Sequence, residues 1–326
     1  MKAIVSASYG HPDLVELKEV AKPVPKDNEV LVKVLASSVN TRNMIFVTGK
    51  PFFVRLMGAG LLEPKVRIPG NDLAGVVESV GKDVKQFRPG DEVFGDSSGC
   101  GFGAYAEYLC TPESALVRKP ANMTFEEAAG VSEAALVALQ GLRDKGRVQK
   151  GEKVLIYGAS GGIGTYAVQL AKYFGADVTG VCSTRNKDLV RSLGADHVLD
   201  YTQEKYPPDG TGYDLIFAIP FRPISDHLQA LGPKGRYVST GSPYIPRILQ
   251  DMLLGPSRAK KEGKSVIGGW TVEPKQADLE FLKGLIADGR LRTAIDRRFP
   301  LRDTAQAFRY YGEGHSRGKV IITMGE

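Results

Sequence analysis

Residues 153–172 read KVLIYGASGGIGTYAVQLAK, and this stretch decides the fold. Residues 154–156 form a short aliphatic run typical of a buried parallel strand, and apolar residues return at helical spacing after the glycines. Between the two, Gly158, Gly161 and Gly164 let the backbone turn sharply and approach a ligand closely. The unpaired amides and positive dipole end of the next helix favour a bound phosphate. The stretch therefore predicts a strand, a turn and a helix that bind a dinucleotide pyrophosphate.

The spacing GxxGxxG is a weak signal by itself, but the sequence around it strengthens the prediction. Four more strands are predicted: VTGVC at 178–182, HVLDY at 197–201, LIFAI at 215–219 and RYVSTG at 236–241. Strands that alternate with helices are typical of a doubly wound parallel sheet. The alternative is a tight structural turn without a ligand. The candidate cofactor-binding residues of this region are Gly158, Ser160, Gly161, Gly162, Ile163, Gly164 and Gly241.

The first 120 residues have a different pattern. Short alternating runs such as LVKVLASSV, AGVVESVG, DEVFG and AYAEYLC are separated by Pro or Gly, which predicts an antiparallel, barrel-like β domain. At Thr124 the tetrapeptide TFEE is typical of a capping box, ahead of an alanine-rich helix predicted over 126–142. The change of pattern places the first domain boundary at residue 123.

The last 60 residues are of mixed type. Helices are predicted over 276–289 and 304–313, followed by the strand KVIITM. A single strand after two helices must pair elsewhere, and we expect it to rejoin the first domain. We therefore predict a discontinuous catalytic domain, 1–123 with 265–326, and a nucleotide-binding domain, 124–264. The active site is expected in the cleft between the two.

Composition limits the function classes. The 326 residues contain 43 Lys and Arg against 37 Asp and Glu, a net charge of +6 that is dispersed rather than concentrated in one run. This balance suits an anionic cofactor and does not indicate nucleic acid. No window approaches the roughly 18 apolar residues of a membrane span. The three cysteines, Cys100, Cys110 and Cys182, are too far apart for a disulfide framework or a four-cysteine zinc site, so a cytoplasmic protein is expected.

Several motifs in order resemble one known group. They are SSVNTRN, PGNDLAGVVESVG, FRPGDEVFG, GAYAEY, GASGGIGTYAVQLAK, SLGADHVLDY and GHSRGKVIIT. Over essentially its whole length the chain resembles the zinc-independent quinone oxidoreductase branch of the medium-chain dehydrogenase/reductase superfamily. The resemblance implies a GroES-like β-barrel catalytic domain and a Rossmann domain, commonly in a homodimer. It also implies hydride transfer from a reduced nicotinamide to a small apolar quinone, enone or similar conjugated carbonyl acceptor.

The resemblance also bears on zinc. Zinc-dependent members carry Gly-His-Glu where this chain has Gly70, Asn71 and Asp72, and a cysteine where it has residues 39–41. Because asparagine is a poor substitute for imidazole, no metal is expected. Without a Lewis acid, alcohol oxidation loses its main electrophile. Reduction of a quinone or activated alkene does not need one, because hydrogen-bond donors can hold the developing oxyanion.

The end of the second strand bears on the choice of nicotinamide cofactor. A domain that prefers NAD places Asp or Glu there. This chain instead reads CSTRNK at 182–187, whose hydroxyl, guanidinium and ammonium groups suit a 2′-phosphate. The resemblance assigns the phosphate to Ser183, Lys187 and Tyr201, and we add Arg185. NADPH is therefore predicted, while the alternative for the basic residues is an ordinary solvated helix start.

On the substrate side, Asn40 matches the asparagine of the family segment V-N-P-x-D, which lies near the nicotinamide. Its amide can donate a hydrogen bond to a substrate oxygen. Asn43 stands for the aspartate of that segment and Thr41 for the proline. Asn40 and Asn43 are the predicted catalytic residues, and the alternative for Asn40 is an asparagine that caps its own turn.

Other positions leave the function open. Ser132 and Val137 stand for the proline and threonine of the family segment LPxxxxTA, and Glu133 is interpreted as a surface-facing residue. The apolar stretches 44–62 and 244–254 line a substrate pocket or pack in the core or a dimer interface. The alternative functions are an enoyl-thioester reductase and a nucleotide-binding module without turnover.

Overall fold

A computed structural model describes residues 1–207, 212–220, 222–240, 259–260 and 262–325, and for Met57 and Gly58 it describes the backbone only. The chain divides into two compact units. The first contains Met1–Leu136 and Glu273–Glu326, and the second contains Val137–Val272.

The first unit is built on β-strands. Its main sheet contains β3 (Glu29–Val39), β4 (Asp72–Val80), β5 (Glu92–Asp96), β6 (Tyr108–Pro112), β7 (Leu116–Arg118), β14 (Ile295–Pro300) and β15 (Lys319–Thr323). The order is β14-β15-β3-β4-β5-β7, and β6 also pairs with β3. A separate hairpin joins β1 (Lys2–Ser6) to β2 (Val15–Glu19). The predicted antiparallel β domain is confirmed.

The central strand β3 organises this unit. Its residues Val30, Val32 and Val34 are buried, and they pack with Leu73 and Val93 of the neighbouring strands. Because β3 pairs with β4 on one side and with β6 and then β15 on the other, it has no open edge over most of its length. Most of the backbone of β3 is therefore hydrogen-bonded on both sides.

The C-terminal strand β15 rejoins the first unit, as expected. Val320 lies opposite Val39 and Ile321 opposite Ser38 in an antiparallel ladder with β3. This register places Lys319 beside the residue that follows β3, which is Asn40. Two residues separated by 279 positions in the chain therefore become neighbours.

Helices connect and cover the strands. Those in the described part are α1 (Thr41–Thr48), α2 (Phe125–Ala129), α3 (Ser132–Leu139), α4 (Gly162–Tyr173), α5 (Lys187–Ser192), α6 (Ile224–Ala230), α7 (Gln276–Ala287) and α8 (Thr304–Gly312). The capping box at Thr124 forms as predicted, with Glu127 as its partner. None of the helices in this part of the chain is long and apolar enough to cross a membrane.

The continuous helix predicted over 126–142 is wrong. It breaks after α2 and restarts as α3, and residues 140–145 continue in a wider π-helical turn. Gly130 lies at the break, where a Cβ atom would come within 2.6 Å of Thr293 Cγ2. The Thr293 hydroxyl also donates to the carbonyl oxygen of Glu127 at 2.9 Å, so a residue before β14 binds the end of α2. The alanine-rich pattern does not contain this long-range contact.

The second unit contains a parallel sheet. Its strands are β8 (Lys153–Tyr157), β9 (Asp177–Cys182), β10 (His197–Asp200), β11 (Tyr213–Ala218), β12 (Leu231–Ser239) and β13 (Ser265–Ile267). The order is β10-β9-β8-β11-β12-β13, with every neighbouring pair parallel. The five predicted strands are confirmed, and the doubly wound order places the carboxyl ends of β8, β9 and β10 at one edge.

The residue boundaries of the two units differ from those of the predicted domains. Helix α2 packs on β3, β4, β5 and β15, so it belongs to the first unit although it follows residue 123. Strand β13 pairs with β12, so it belongs to the second unit although it follows residue 264. Both differences arise because a boundary read from local pattern does not show which sheet an element packs on.

Candidate functional site

The glycine turn connects β8 to α4. Gly158 has a φ of +89°, and a Cβ atom there would lie 2.4 Å from Pro220 Cδ. A Cβ atom at Gly164 would lie 2.0 Å from the carbonyl oxygen of Gly158. Both positions therefore require glycine for the fold itself. Gly161 differs, because its Cβ position is open, with the Gly158 oxygen at 3.6 Å as the nearest atom.

This open space fits a phosphate group. Gly161 is the N-cap residue of α4, and Gly162, Ile163 and Gly164 form the first turn. The first amides of an α-helix have no acceptor within the helix and carry the positive end of its dipole. A dinucleotide pyrophosphate could approach the turn here without meeting a side chain at Gly161. The residues present therefore fit the cofactor that the strand, turn and helix predict.

Asn186 is a residue of this region that the sequence analysis missed. It ends a short 3₁₀ turn after β9, is 5% exposed, and donates from Nδ2 to Ser160 Oγ at 2.9 Å. The same amide lies 3.3 Å from Ser183 Oγ. Its Oδ1 is buried and has no hydrogen-bond partner among the described residues. Asn186 thus ties the glycine turn to the end of β9, and an amide among the basic residues of CSTRNK is the signal that could have found it.

The four residues predicted to hold a 2′-phosphate lie at the carboxyl edge of the sheet. Ser183 follows β9 and is half-buried, while Arg185 is exposed and Lys187, which begins α5, is partly exposed. Tyr201 follows β10 with 48% of its surface exposed. Its backbone amide donates to the carbonyl oxygen of Cys182 at 3.2 Å, which brings it beside the end of β9.

A carboxylate also lies at this edge, but it faces inward. Asp200 pairs in register with Cys182 and is 1% exposed. Its Oδ2 accepts from Thr184 Oγ1 at 2.6 Å and its Oδ1 from Thr202 Oγ1 at 2.7 Å. These hydrogen bonds lower the pKa of Asp200. The carboxylate oxygens therefore anchor two turns and are already engaged by hydroxyl groups.

Other predictions of the second unit lie outside the described residues. Gly241 and the stretch 244–254 belong to this group. The stretch 44–62 of the first unit is described, with the backbone only at the two positions noted above. It begins within α1 and continues into a π-helical turn at Arg55–Ala59. Phe52, Leu56 and Leu62 are 57%, 67% and 85% exposed.

The first unit contains a buried polar cluster beneath the start of α1. Eight side chains, each at most 9% exposed, are joined by hydrogen bonds. They are Ser38, Asn40, Asn43, Asn71, Asp72, Asp96, Glu133 and Lys319. Residues from β3, β4, β5, β15, α1 and α3, or next to these elements, converge there, so only the folded unit assembles the cluster.

Asn40 spans two charged groups of the cluster. Its Nδ2 donates to Asp72 Oδ2 at 2.9 Å, and its Oδ1 accepts from Lys319 Nζ at 2.5 Å. Asn40 is the N-cap residue of α1, but these contacts direct its side chain into the cluster. It keeps 7% of its surface exposed. The predicted donor to a substrate oxygen therefore lies at the edge of a charged network.

Asn43 is fully buried and has a supporting position. Its Oδ1 accepts from the backbone amide of Asn40 at 3.0 Å and from the Tyr105 hydroxyl at 2.9 Å. Its Nδ2 donates to Asn71 Oδ1 at 2.8 Å. Burial raises the pKa of Tyr105 well above its ordinary value, so this hydroxyl stays protonated. The contacts of Asn43 are those of a residue that orients Asn40, and they favour this role over the predicted catalytic one.

Glu133 is not surface-facing, so that interpretation is wrong. The side chain is 9% exposed and accepts from Asn71 Nδ2 at 2.9 Å. Its other oxygen lies 3.3 Å from Arg42 Nε. The backbone amide of Glu133, in the first turn of α3, donates to Asp72 Oδ1 at 2.9 Å. Glu133 is therefore buried with polar partners on both of its carboxylate oxygens.

The cluster concentrates negative charge. Asp72, Asp96 and Glu133 lie together, and the two N–H groups of Asn71 Nδ2 face one oxygen of each, at 3.1, 3.2 and 2.9 Å. Burial raises the pKa of Glu133 to about 7, against the lowering effect of Arg42. Burial and the neighbouring Asp72 also raise the pKa of Asp96. The cluster therefore gains or loses a proton near neutral pH.

Of the residues at the zinc positions named by the resemblance, Asn40 and Asn71 are amides and Asp72 is a carboxylate. Asn71 uses both ends of its side chain on Asn43 and on the three carboxylates, and Asn40 lies between Asp72 and Lys319. Nowhere in the described ranges do three His, Cys, Asp or Glu side chains form a group that could hold a metal ion. Ser132 and Val137 are both buried, and the Ser132 hydroxyl finds no partner in the described part of the chain.

Comparison with known proteins agrees with both units. Residues 26–121 match the family model of the alcohol dehydrogenase GroES-like domain, and residues 193–322 match the model described as zinc-binding dehydrogenase. The chain is 33% identical to the chloroplast envelope quinone oxidoreductase homolog of Arabidopsis thaliana, over 99% of this chain and 98% of the relative.

Two further proteins support the same relationship. The chain is 31% identical to the chloroplastic NADPH-dependent alkenal/one oxidoreductase of Arabidopsis thaliana, over 99% of this chain and 79% of the relative. The solved quinone oxidoreductase of Coxiella burnetii superposes with a TM-score of 0.86 at 28% identity, covering 100% of this chain and 99% of that one. Motifs, sheet order and full-length similarity agree, and the chain belongs to the quinone oxidoreductase branch of the NAD(P)-dependent medium-chain dehydrogenase/reductase superfamily.

Proposed function

We propose that this protein is an NADPH-dependent reductase of quinones, enones or similar conjugated carbonyl compounds and that it works without zinc. The buried polar cluster carries the proposal. At the positions where the resemblance expects zinc ligands, Asn40 and Asn71 bind other residues of the cluster through both ends of their amides. The carboxylate of Asp72 in the same segment is engaged by Ser38, Asn40 and the backbone amide of Glu133. An amide is also a much weaker ligand for zinc than imidazole or thiolate.

The chemistry of the cluster favours conjugate reduction. The bound cofactor supplies a hydride, and the acceptor then develops negative charge on its oxygen. Asn40 can hold that oxygen with its second amide hydrogen, since only one is used by Asp72. Such a donor is sufficient for a quinone or enone, whose conjugation already spreads the charge. Oxidation of an unactivated alcohol would require a stronger electrophile than an amide.

The preference for NADPH is supported by the charges after β9. Ser183, Arg185 and Lys187 offer a hydroxyl and two cations, and Tyr201 lies next to the end of that strand. A 2′-phosphate carries close to two negative charges and would be held by such groups. The carboxylate of Asp200 would accept from a ribose hydroxyl of NADH, but Thr184 and Thr202 already engage it.

Oxidation of NADPH with a panel of acceptors tests the activity. The panel contains 1,2-naphthoquinone, a linear enone and crotonyl-CoA, and a primary alcohol is tested with NADP. We expect turnover with the quinone or the enone, and we expect a chelator to leave its rate unchanged. Cofactor binding without turnover would support a binding module instead, and turnover confined to crotonyl-CoA would support an enoyl-thioester reductase. Alcohol oxidation that a chelator stops would overturn the zinc-free proposal.

The cofactor preference has its own test. The double variant Arg185→Ala with Lys187→Ala should raise KM for NADPH by about 10-fold or more and leave KM for NADH nearly unchanged, because a lost charge-assisted contact weakens binding by over 1.4 kcal/mol. The matched control removes two exposed lysines of the first unit, Lys26→Ala with Lys82→Ala. An unchanged ratio of the two KM values in the first variant would overturn the assignment to NADPH.

The compartment and the oligomeric state are also proposals. All three cysteines are free, which suits a reducing compartment, and we propose the cytoplasm. A homodimer follows from the family resemblance. Microscopy of the tagged full chain tests the first, and the mass measured by light scattering tests the second. Transport into an organelle would overturn the location, and a monomeric mass would overturn the dimer.

A further inference from the structure

The side chain of Asn40 has only one favourable orientation in the cluster. An ammonium group only donates hydrogen bonds, and a carboxylate only accepts them. Lys319 Nζ lies 2.5 Å from Oδ1 of Asn40, and Asp72 Oδ2 lies 2.9 Å from Nδ2. Turning the amide over would bring its NH₂ group against the ammonium and its oxygen against the carboxylate. Both contacts would become repulsive, so the two charges together set the direction of the amide.

Both charged groups are themselves held in place. Asp72 Oδ2 accepts from Ser38 Oγ at 2.6 Å, and Asp72 Oδ1 accepts from the backbone amide of Glu133 at 2.9 Å. Lys319 is 2% exposed and its Nζ lies 3.5 Å from Asp72 Oδ2. Gly130 lies next to the stem of the lysine, since a Cβ atom there would lie 3.4 Å from Lys319 Cγ. The ammonium is therefore anchored by the sheet and by close packing.

One donor of Asn40 is left over. The amide has two N–H groups, and Asp72 takes one of them. The second has no acceptor in the ranges that the structure describes, and Asn40 is one of the cluster residues with some exposed surface, at 7%. An ammonium on the carbonyl oxygen draws electron density from the amide and makes its N–H groups stronger donors. The arrangement thus provides a polarised, oriented N–H at the edge of the cluster.

We propose that Lys319 is a positioning residue for the reaction: it orients and polarises the Asn40 amide so that the free N–H holds the substrate oxygen. The inference rests on the proposed function, since it assigns how the oxyanion is stabilised in that reaction. Lys319 itself acts only through Asn40. In a purely structural role the lysine would only balance the charge of Asp72. Its loss would then change stability, and its effect on kcat would not depend on whether Asn40 is present.

A double-mutant cycle with the full chain separates these roles. The variants are Lys319→Met, Lys319→Arg, Asn40→Ala and the double variant Asn40→Ala with Lys319→Met. Lys119→Met is the control, because Lys119 is also a buried lysine of the first unit, at 5% side-chain exposure beside Glu92. The readouts are kcat and KM with the best quinone or enone, the Kd for NADPH from fluorescence, and the thermal midpoint.

We expect Lys319→Met to lower kcat by about 10- to 100-fold, as loss of an oriented oxyanion donor does, with Kd for NADPH changed by less than about twofold. In the Asn40→Ala background, Lys319→Met should lower kcat by less than about twofold, because the lysine then has nothing to orient. Lys319→Arg should recover part of the loss, and Lys119→Met should keep the wild-type kcat.

The inference would be overturned if the kcat losses of the two single variants multiplied in the double variant. It would also be overturned if Lys319→Met raised the Kd for NADPH strongly and left kcat unchanged. If Lys319→Met does not fold, Lys319→Arg replaces it throughout, and its effect must likewise disappear in the Asn40→Ala background. Failure of the wild-type protein to reduce any acceptor would instead overturn the proposed function. The two failures are therefore distinguishable in the same experiment.

Discussion

Asn71 Nδ2 donates a hydrogen bond to Glu133 Oε2 across 2.9 Å, linking the residue before β4 to the first turn of α3. The same Nδ2 lies 3.1 Å from Asp72 Oδ1 and 3.2 Å from Asp96 Oδ1. One neutral amide thus separates three carboxylates. Burial of three carboxylates around one amide is costly, and a proton on Glu133 lowers their mutual repulsion.

The raised pKa of Glu133 predicts a change of stability with pH. The folded pKa of about 7 lies above the ordinary value of 4.5, so the folded state binds the proton more tightly than the unfolded chain. The contribution of Glu133 to stability is full below pH 4.5 and is lost as pH rises through 7. Glu133→Gln mimics the protonated acid and should remove this loss, so its stability relative to wild type should rise by about 2–3 kcal/mol across that range.

Urea unfolding at a series of pH values measures this difference. Glu280→Gln is the control, because Glu280 is 48% exposed on α7 and pairs with Lys283 on the helix surface. The control should follow the wild-type curve at each pH. Parallel curves for Glu133→Gln and wild type would show that the carboxyl group titrates at its ordinary pKa despite its burial.

The glycine turn predicts opposite effects for two neighbouring substitutions. Gly161→Ala places a methyl group in open space, so the free energy of unfolding should stay within about 0.5 kcal/mol while NADPH affinity falls by about 10-fold or more. Gly164→Ala places it 2.0 Å from the Gly158 oxygen and should destabilise the protein by about 1–3 kcal/mol. Thermal melts and fluorescence titration measure both quantities. Equal NADPH affinity in Gly161→Ala and wild type would contradict a phosphate at this turn.

Asn186 predicts a link between cofactor affinity and the two turns that it joins. Asn186→Ala removes the donor to Ser160 and should weaken both NADPH and NADH by a similar factor of about 5 to 10, because the hydrogen bond aligns the phosphate turn. Asn186→Asp keeps the shape but adds a negative charge near the phosphates, so it should weaken binding more than alanine does. Titration with both cofactors measures the four constants. Tighter binding by the aspartate variant than by alanine would exclude a nearby phosphate.

The second unit has a buried aromatic group whose hydrogen bond predicts a loss of stability. The Tyr206 hydroxyl lies 2.5 Å from His227 Nδ1, and His227 is fully buried. Burial raises the pKa of Tyr206, which keeps the hydroxyl protonated. Tyr206→Phe leaves the imidazole nitrogen without this donor and should lower the free energy of unfolding by about 1–3 kcal/mol. Tyr173→Phe, at a position 39% exposed, is the control and should change it by less than about 0.5 kcal/mol.

Denaturant unfolding followed by circular dichroism distinguishes the two tyrosine variants. Equal stabilities would mean that water replaces the hydroxyl beside His227. The imidazole also stacks on Tyr237 with ring centroids 5.1 Å apart, and that contact is unchanged in both variants. Any difference between them therefore reports the Tyr206 hydroxyl.

Local sequence patterns predicted much of the fold. The strand, turn and helix at 153–172 are short-range features, because aliphatic runs, glycines and helical spacing act within a few residues. The capping box at Thr124 formed for the same reason. Prediction failed at Gly130, where the helix ends and Thr293, far along the chain, donates to the carbonyl oxygen of Glu127. It also failed at Glu133, whose burial depends on Asn71 and Arg42 rather than on its own helix.

The sequence by itself therefore determined the class of fold, the place of the phosphate turn and the residues available to both units, since each follows from local spacing and residue type. Only the tertiary structure decided how the side chains combine. Asn40 and Lys319 are 279 residues apart and meet because β15 pairs with β3. Asn186 and Ser160 meet because β9 lies beside β8 in the parallel sheet. Strand pairing sets these contacts over long separations, and no local pattern specifies which residue will face which.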